Sequence, residues 1–255
     1  MKEKAQVLVD DFKQYFKIQL VTTEDQLKQA YELRYRVYCE EFNYEATELF
    51  PNKMESDEFD FQSLHCLIIH KETGRVASCI RLVPAGTQYE NGLLPLEKFC
   101  KNSLDQEKIS CLNIVRDEVC EISRLAVDVA FRRRPGENAI RFGGVESIDC
   151  TQQEQRTFSL IALSAFLAGG ALTSITHKTN VFAMMEPFLP RLLKKAGLKF
   201  KRVGEDMDYH GIRAPYFLTF QSAKNNFPPE IQKMYDWIYT QLDSDYKKKQ
   251  SNEKG

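Results

Sequence analysis

Arg34, Arg81, Glu121 and Arg124 stand where their neighbours follow a buried pattern, and a charge on such a face is costly unless it is paired. Arg34 falls on the apolar stripe formed by Leu27, Ala30, Tyr31, Val37 and Tyr38, and Arg81 alternates with Ala77, Cys79 and Val83. Glu121 and Arg124 interrupt EISRLAV, a run otherwise suited to the middle of a sheet. Two readings are open. In one, Arg34 and Arg81 pair with Asp57, Asp60 or Glu121 in a partly buried network that only fixes the fold. In the other, the cluster lines a polar slot in which Glu121 acts as a base and the arginines hold a carboxylate bidentately. Side chains alternate across a strand, so Glu121 and Arg124 share one site only if a β-bulge lies near Ser123.

The loop Arg132-Arg133-Arg134-Pro135-Gly136 lies just past the end of that strand, where open sheets commonly bind ligands. It reads as a solvated turn, or as an anchor for the phosphate of an acyl carrier's arm or the acidic surface of a carrier protein. His65 and His177 sit in strand patterns and read as core histidines. Tyr209-His210-Gly211-x-Arg213-x-Pro215 reads equally as a hairpin loop and as the rim of a pocket.

The elements that must position these groups alternate in type. Thr23 with Gln26 forms a capping box that opens a helix through QLKQAYELRYRVYCEEF. After the acidic stretch MESDEFD, the runs SLHCLIIH and RVASCIRLVP flank the turn Glu72-Thr73-Gly74 and predict an antiparallel hairpin. Residues 84–118, rich in Pro, Gly, Asn and charge, read as an insertion with a short helical piece near Leu96–Cys100. The strand EISRLAV follows, then a helix over 152–168 and a strand around Ser174–Met185. Pro187 and Gly197 bracket the helix of PFLPRLLKKAG. Two strands, LKFKRVG and APYFLTF, and a helix EIQKMYDWIYTQL complete the order, while DYKKKQSNEKG has nothing to bury and reads as disordered. One mixed sheet flanked by helices is the expected architecture, with too few alternating crossovers for a doubly wound or barrel fold.

With 255 residues, 43% of them hydrophobic, the chain has enough apolar material for one large core. Its 35 basic and 36 acidic side chains leave a net charge of −1, which provides no global attraction to nucleic acid. The apolar run Leu160–Leu172 is shorter than the roughly 20 residues of a spanning helix and reads as a core helix. Asp10 and Asp11 interrupt the place of a signal peptide's apolar stretch, so a cytoplasmic protein without an integral membrane segment is expected. Seven cysteines without a C-x-x-C pair read as reduced, buried thiols, and four histidines without H-x-H or H-E-x-x-H spacing suggest no metal site.

Leu33-Arg34-x-x-x-Tyr38, Asp57-x-x-Asp60, Arg81-Leu82 and Glu121-x-Ser123-Arg124-x-Ala126-Val127 resemble, in order and spacing, the motifs of acyl-homoserine-lactone autoinducer synthases. Met185-Glu186-Pro187, Arg191-Leu192-Leu193, Ala196-Gly197-Leu198 and Tyr209-His210-Gly211-x-Arg213-x-Pro215-Tyr216 are similar to a sister group. These are the acyltransferases associated with exosortase/PEP-CTERM sorting, themselves similar to N-acyl amino acid synthases. Tyr44 stands where lactone synthases carry Trp, a departure from S-adenosylmethionine as acceptor.

The resemblance implies an α/β (α+β) GNAT-like acyl-N-acyltransferase fold with a mostly antiparallel sheet. It implies a bacterial N-acyltransferase domain over residues 1–225, a helical extension over 226–243 and a tail over 244–255. The reaction implied is transfer of a long acyl chain from acyl carrier protein or acyl-CoA to the amino group of an amino acid or related amine, without a tightly bound cofactor. Glu121 is then the catalytic base, while Arg34, Asp57, Asp60, Arg81 and Arg124 bind the acceptor. Backbone around Leu125 and Val127, with Arg132, Arg133 and Arg134, binds the donor. A lactone synthase and a non-catalytic acyl-carrier-binding module are the alternatives.

Overall fold

Two elements precede the helix at which the hydrophobic pattern becomes readable. The computed structural model describes residues 2–86, 92–132 and 159–253, and in it helix α1 (Lys2–Tyr15) runs directly into strand β1 (Phe16–Leu20). Phe12 and Phe16, both fully buried, stack at 5.0 Å across this junction. Helix α2 (Glu24–Tyr35) starts at the expected capping box: Gln26 N–H donates to the Thr23 hydroxyl, and the Gln26 side chain accepts from Thr23 N–H. A π-helical turn, Arg36–Glu41, extends it and carries Tyr38.

Strands β2 (Leu64–His70) and β3 (Val76–Pro84) form the expected antiparallel hairpin. Gly74 in its turn has φ of 69°, which glycine adopts at little cost. The pairing shifts between Ile68 and Ile69, and past that irregularity Ala77 packs in a different cluster from Cys79. Arg81 therefore does not share a face with Ala77 as simple alternation suggested. The insertion supplies two short helices, α3 (Pro95–Phe99) and α4 (Gln106–Ser110), before strand β4 (Val119–Val127).

Helix α5 (Ser159–Ile175) is the buried apolar helix; no described helix is long and apolar enough to cross a membrane. Strand β5 (Asn180–Met185), helix α6 (Leu189–Lys195), the two-residue strands β6 (Lys201–Arg202) and β7 (Met207–Asp208), and strand β8 (Ile212–Thr219) follow. Of the strand expected at LKFKRVG, only β6 pairs regularly, because the insertion docks where it would continue. Leu104 bridges Gly204, and a Cβ on Gly204 would lie 2.0 Å from the Ser103 carbonyl oxygen. Helix α7 (Phe220–Lys224) leads to α8 (Pro229–Glu253). The tail read as disordered continues this helix to Glu253, with the Lys247–Asp243 pair and the Ser251 hydroxyl bonded one turn back. Burial was the wrong criterion there, since i,i+4 pairs also support a polar helix.

The sheet order is β1-β2-β3-β4-β5-β8-β6, with β7 beside β8. Among the described residues, only β4 and β5 are parallel and every other pairing is antiparallel. One face packs on α5 and α8, in a core that includes Ile80, Ile122, Leu167 and Ile238. The other has two covers. Helix α2 lies over β2 and β3 with Leu33, Leu67 and Cys79, and the insertion lies over β4, β5 and β8 with Leu96, Phe182 and Phe217. Cys39, Cys66, Cys79, Cys100 and Cys120 are buried free thiols, whereas Cys111 is exposed and Cys150 lies outside the described residues.

Candidate active site

Strands β4 and β5 pair only from Val119 to Glu121 against Asn180 to Phe182. From Ile122 onward the side of β4 that faced β5 has no strand partner among the described residues, so the sheet splits at the carboxyl ends of its two parallel strands. A cavity of about 360 Å³ occupies the split, within the range of small-molecule sites. Glu121, Arg124 and Leu125 of β4, Met184 and Met185 of β5, Tyr38 and Tyr44 after α2, Leu96 of the insertion, and His210 with Arg213 at the start of β8 all line it.

A β-bulge brings Glu121 and Arg124 to the same cavity. Cys79 pairs with Ala126 but Arg81 pairs with Ser123, so β4 holds one residue more than β3 in that interval. Arg124 takes up the difference with φ of 53°, uncommon outside glycine. The Tyr38 hydroxyl donates to the Leu125 carbonyl at 2.9 Å, and the Arg124 guanidinium lies 5.8 Å from the Tyr38 ring. The turn after α2 thus holds the bulge in place.

The arginines and most of the acids form a separate, closed network. Arg34, fully buried, donates to Asp60 at 2.7 and 3.0 Å and pairs through Nε with Glu55. Arg81, also fully buried, donates to Asp57 at 2.6 Å, Asp60 at 2.8 Å and the Ser123 hydroxyl at 3.1 Å. Arg124 reaches Asp57 at 2.9 Å and Glu55 at 3.1 Å. Three guanidinium groups face three carboxylates. Burial would raise the Asp60 carboxyl, but Arg34 and Arg81 override it and hold it well below the usual range, and Arg81 with Arg124 lowers Asp57 in the same way. His65 lies 3.6 Å from Asp60, and burial pushes its imidazole down to about 4 despite that carboxylate.

Arg34, Asp57, Asp60 and Arg81 are therefore brought together but do not line the cavity; Arg124 alone of the network does. Glu55, which links Arg34 to Arg124, was missed. It sits in an irregular segment where no periodicity singles out one acid of MESDEFD, and its burial at 1% exposure is visible only in the fold.

Glu121 is outside the network. It is 3% exposed, its Oε2 accepts the Leu96 backbone N–H at 2.8 Å, and no side chain bonds it among the described residues. Burial pushes its carboxyl up to about 8, against the opposing pull of that N–H and of Arg81 and Arg124. The insertion that looked like a mere excursion supplies this contact. Cys100, at its near end, is raised to about 12 by burial, further by Glu121, with Arg213 acting in the opposite direction.

At the mouth, Arg132 pairs with Glu41 and lies 5.0 Å from the Phe42 ring; Arg133 and Arg134 lie outside the described residues. His210 Nε2 lies 3.2 Å from Glu45, and Arg213 lies over the Tyr44 ring at 5.3 Å. Tyr209–Pro215 meets both readings: Tyr209, His210 and Gly211 form the β7–β8 turn, β8 starts at Ile212, and Tyr209, His210 and Arg213 wall the cavity.

Residues 33–141 match the acetyltransferase (GNAT) domain family. No curated protein matches the chain. Among solved structures, a CoA-dependent acyl-homoserine lactone synthase, BjaI, with S-adenosylmethionine and isopentyl-CoA, superposes with a TM-score of 0.59 at 18% identity, covering 88% of this chain and 89% of that one. The acyl-homoserine lactone synthase LasI gives 0.53 at 16% identity over 82% and 94%. FeeM, an N-acyl amino acid synthase from uncultured soil microbes, gives 0.50 at 13% identity over 83% and 94%. Together with the mostly antiparallel sheet and its single parallel split, these likenesses show that the chain has the GNAT-like fold of acyltransferases.

Proposed function

We propose that the protein is an N-acyltransferase that moves a long acyl chain from a carrier thioester to the amino group of an amino acid or a related amine. The observation that carries this reading is Glu121, a buried carboxyl without a cation bonded to it, lining a cavity at the edge of β4 that β5 leaves open. A base must take a proton from the amine as it attacks. A carboxyl near 8 is ionised in about a tenth of molecules at pH 7 and, once ionised, is a far stronger base than an ordinary carboxylate.

In the reaction the amine nitrogen bonds to the thioester carbon while Glu121 takes the nitrogen's proton, directly or through a water. Backbone N–H groups near Leu125 and Val127, on the open part of β4, would stabilise the oxyanion. Collapse breaks the C–S bond, and the thiolate recovers a proton from Glu121. Ile122, Phe166, Ala183 and Met185 supply apolar wall for the acyl chain. Arg34, Arg81, Asp57 and Asp60 act indirectly, by fixing Arg124 and the bulge. Arg132, with Arg133 and Arg134, is the proposed anchor for the donor, acyl carrier protein or acyl-CoA.

The likeness of the second half to PEP-CTERM-associated acyltransferases, and Tyr44 in place of tryptophan, favour an amino-acid acceptor. Lactone synthesis from S-adenosylmethionine is the second reading, supported by the fold shared with BjaI and LasI. The test is mass spectrometry of products from purified protein given acyl carrier protein or CoA thioesters with each common amino acid or S-adenosylmethionine. An N-acyl amino acid is the expected product, and Glu121→Gln should form it about 10²- to 10⁴-fold more slowly. A lactone product would select the second reading, and no product with any pair would leave a binding module.

A further inference from the structure

Three arginines line the cavity, and two are already committed. Arg124 is held by Glu55 and Asp57, and Arg132 by Glu41. Arg213 differs. It makes no ion pair among the described residues, and its Nε is buried without a hydrogen-bond partner. The guanidinium carbon lies over the face of the Tyr44 ring, 5.3 Å from its centroid. Of the acids lining the cavity besides Glu121, Glu45 faces His210 at 3.2 Å, and Glu186, which follows Met185 at the end of β5, makes no ion pair with Arg213 among the described residues. A buried guanidinium N–H without an acceptor is costly, and an oxyanion from a ligand would remove that cost with a charge-assisted bond.

Arg213 is also placed to act on the same molecule as Glu121. Arg213 immediately precedes Ala214, which pairs with Met185 in the last β5–β8 pair, at the carboxyl end of β5 where the split opens. Both Arg213 and Glu121 act electrostatically on the Cys100 thiol, which lines the cavity with them.

We infer that Arg213 binds the carboxylate of the acceptor and so selects an amino acid over an amine that lacks one; this rests on the N-acyltransfer reading above. The guanidinium takes over the role first assigned to Arg34 and Arg81, which do not line the cavity and whose donors, apart from an unpartnered Nη2 on Arg81, are directed to Asp57, Asp60, Glu55 and Ser123. The same anion-binding chemistry could serve a phosphate of the donor, and the two sources separate kinetically.

The experiment compares each common amino acid with its carboxamide as acceptor, for the parent chain, Arg213→Gln and Arg213→Lys, with folding checked by circular dichroism. The parent should prefer the free acid by about 10²-fold in kcat/KM. Arg213→Gln should bring that preference to within about threefold through the acceptor KM, with Arg213→Lys in between because it keeps charge and loses the fork. An undiminished preference in Arg213→Gln, or a rise confined to the donor KM, would overturn the inference while leaving acyl transfer intact. If no amine is acylated by the parent, the transfer reading fails. Calorimetric binding of the same amino acids to parent and Arg213→Gln then decides the anchor by itself, equal affinity or no binding to either counting against it.

Discussion

Asp60 and Glu121 are both carboxyls shut away from water, 5% and 3% exposed, and their protonation is driven in opposite directions. Asp60 faces two guanidinium groups and stays ionised far into acid; Glu121 has one backbone N–H and holds its proton to about 8. Burial penalises both charges, and the difference is made by the partner. In the network of Arg34, Arg81 and Arg124 with Glu55, Asp57 and Asp60, every carboxylate is bonded to a guanidinium and only Arg81 Nη2 among the buried guanidinium nitrogens is left without a partner. Glu121 is left with an unspent charge change in a cavity. The comparison separates positioning residues from the proposed base, although both sets break the hydrophobic pattern in the same way.

The most damaging way to test the network side is Arg34→Met. It removes the cation that Glu55 and Asp60 share, leaving Glu55 only Arg124 and Asp60 only Arg81 as arginine partners, and should cost about 3–5 kcal/mol in urea unfolding. A variant as stable as the parent would show that the network is not a closed unit, and the contrast with Glu121 would collapse.

A smaller effect sharpens the Glu121 side. Its folded value lies above the unfolded value of about 4.3, so the folded chain keeps the proton longer and stability falls as pH rises from about 4.3 to about 8. His65 has the opposite sign: its folded value of about 4 lies below 6.5, so stability falls as pH drops from 6.5 toward 4. Each slope approaches ~1.4 kcal/mol per pH unit, so the two oppose one another between about 4.3 and 6.5 and Glu121 acts alone above that. Glu121→Gln should therefore gain stability relative to the parent as pH rises to about 8. A difference between the two that is flat with pH would mean that Glu121 is ionised like Asp60.

Much of this was legible in the chain because it violates a period. Arg34 on a helix stripe and Arg81 on a strand face stand out against apolar neighbours, and the need for a bulge followed from the odd spacing of Glu121 and Arg124. Which acids met which arginines was not legible, since Glu55, Asp57 and Asp60 lie in an irregular stretch with no face to read. Arg213 was ambiguous because the sequence places it in a polar turn ahead of the strand expected at APYFLTF, whereas β8 already begins at Ile212, and its pairing with β7 and β5 sets Arg213 at the cavity mouth. Strand β1 was missed because five residues of mixed polarity, FKIQL, carry little pattern until β2 lies beside them.

The central claim is that Glu121 takes the amine's proton, and the pH dependence of kcat at saturating donor and acceptor tests it most directly. The parent rate should climb about tenfold per pH unit below about 8 and level off above it. Glu121→Gln should lose both the rate and that inflection. A folded Glu121→Gln with the parent's rate and the same rise through pH 8 would contradict the account.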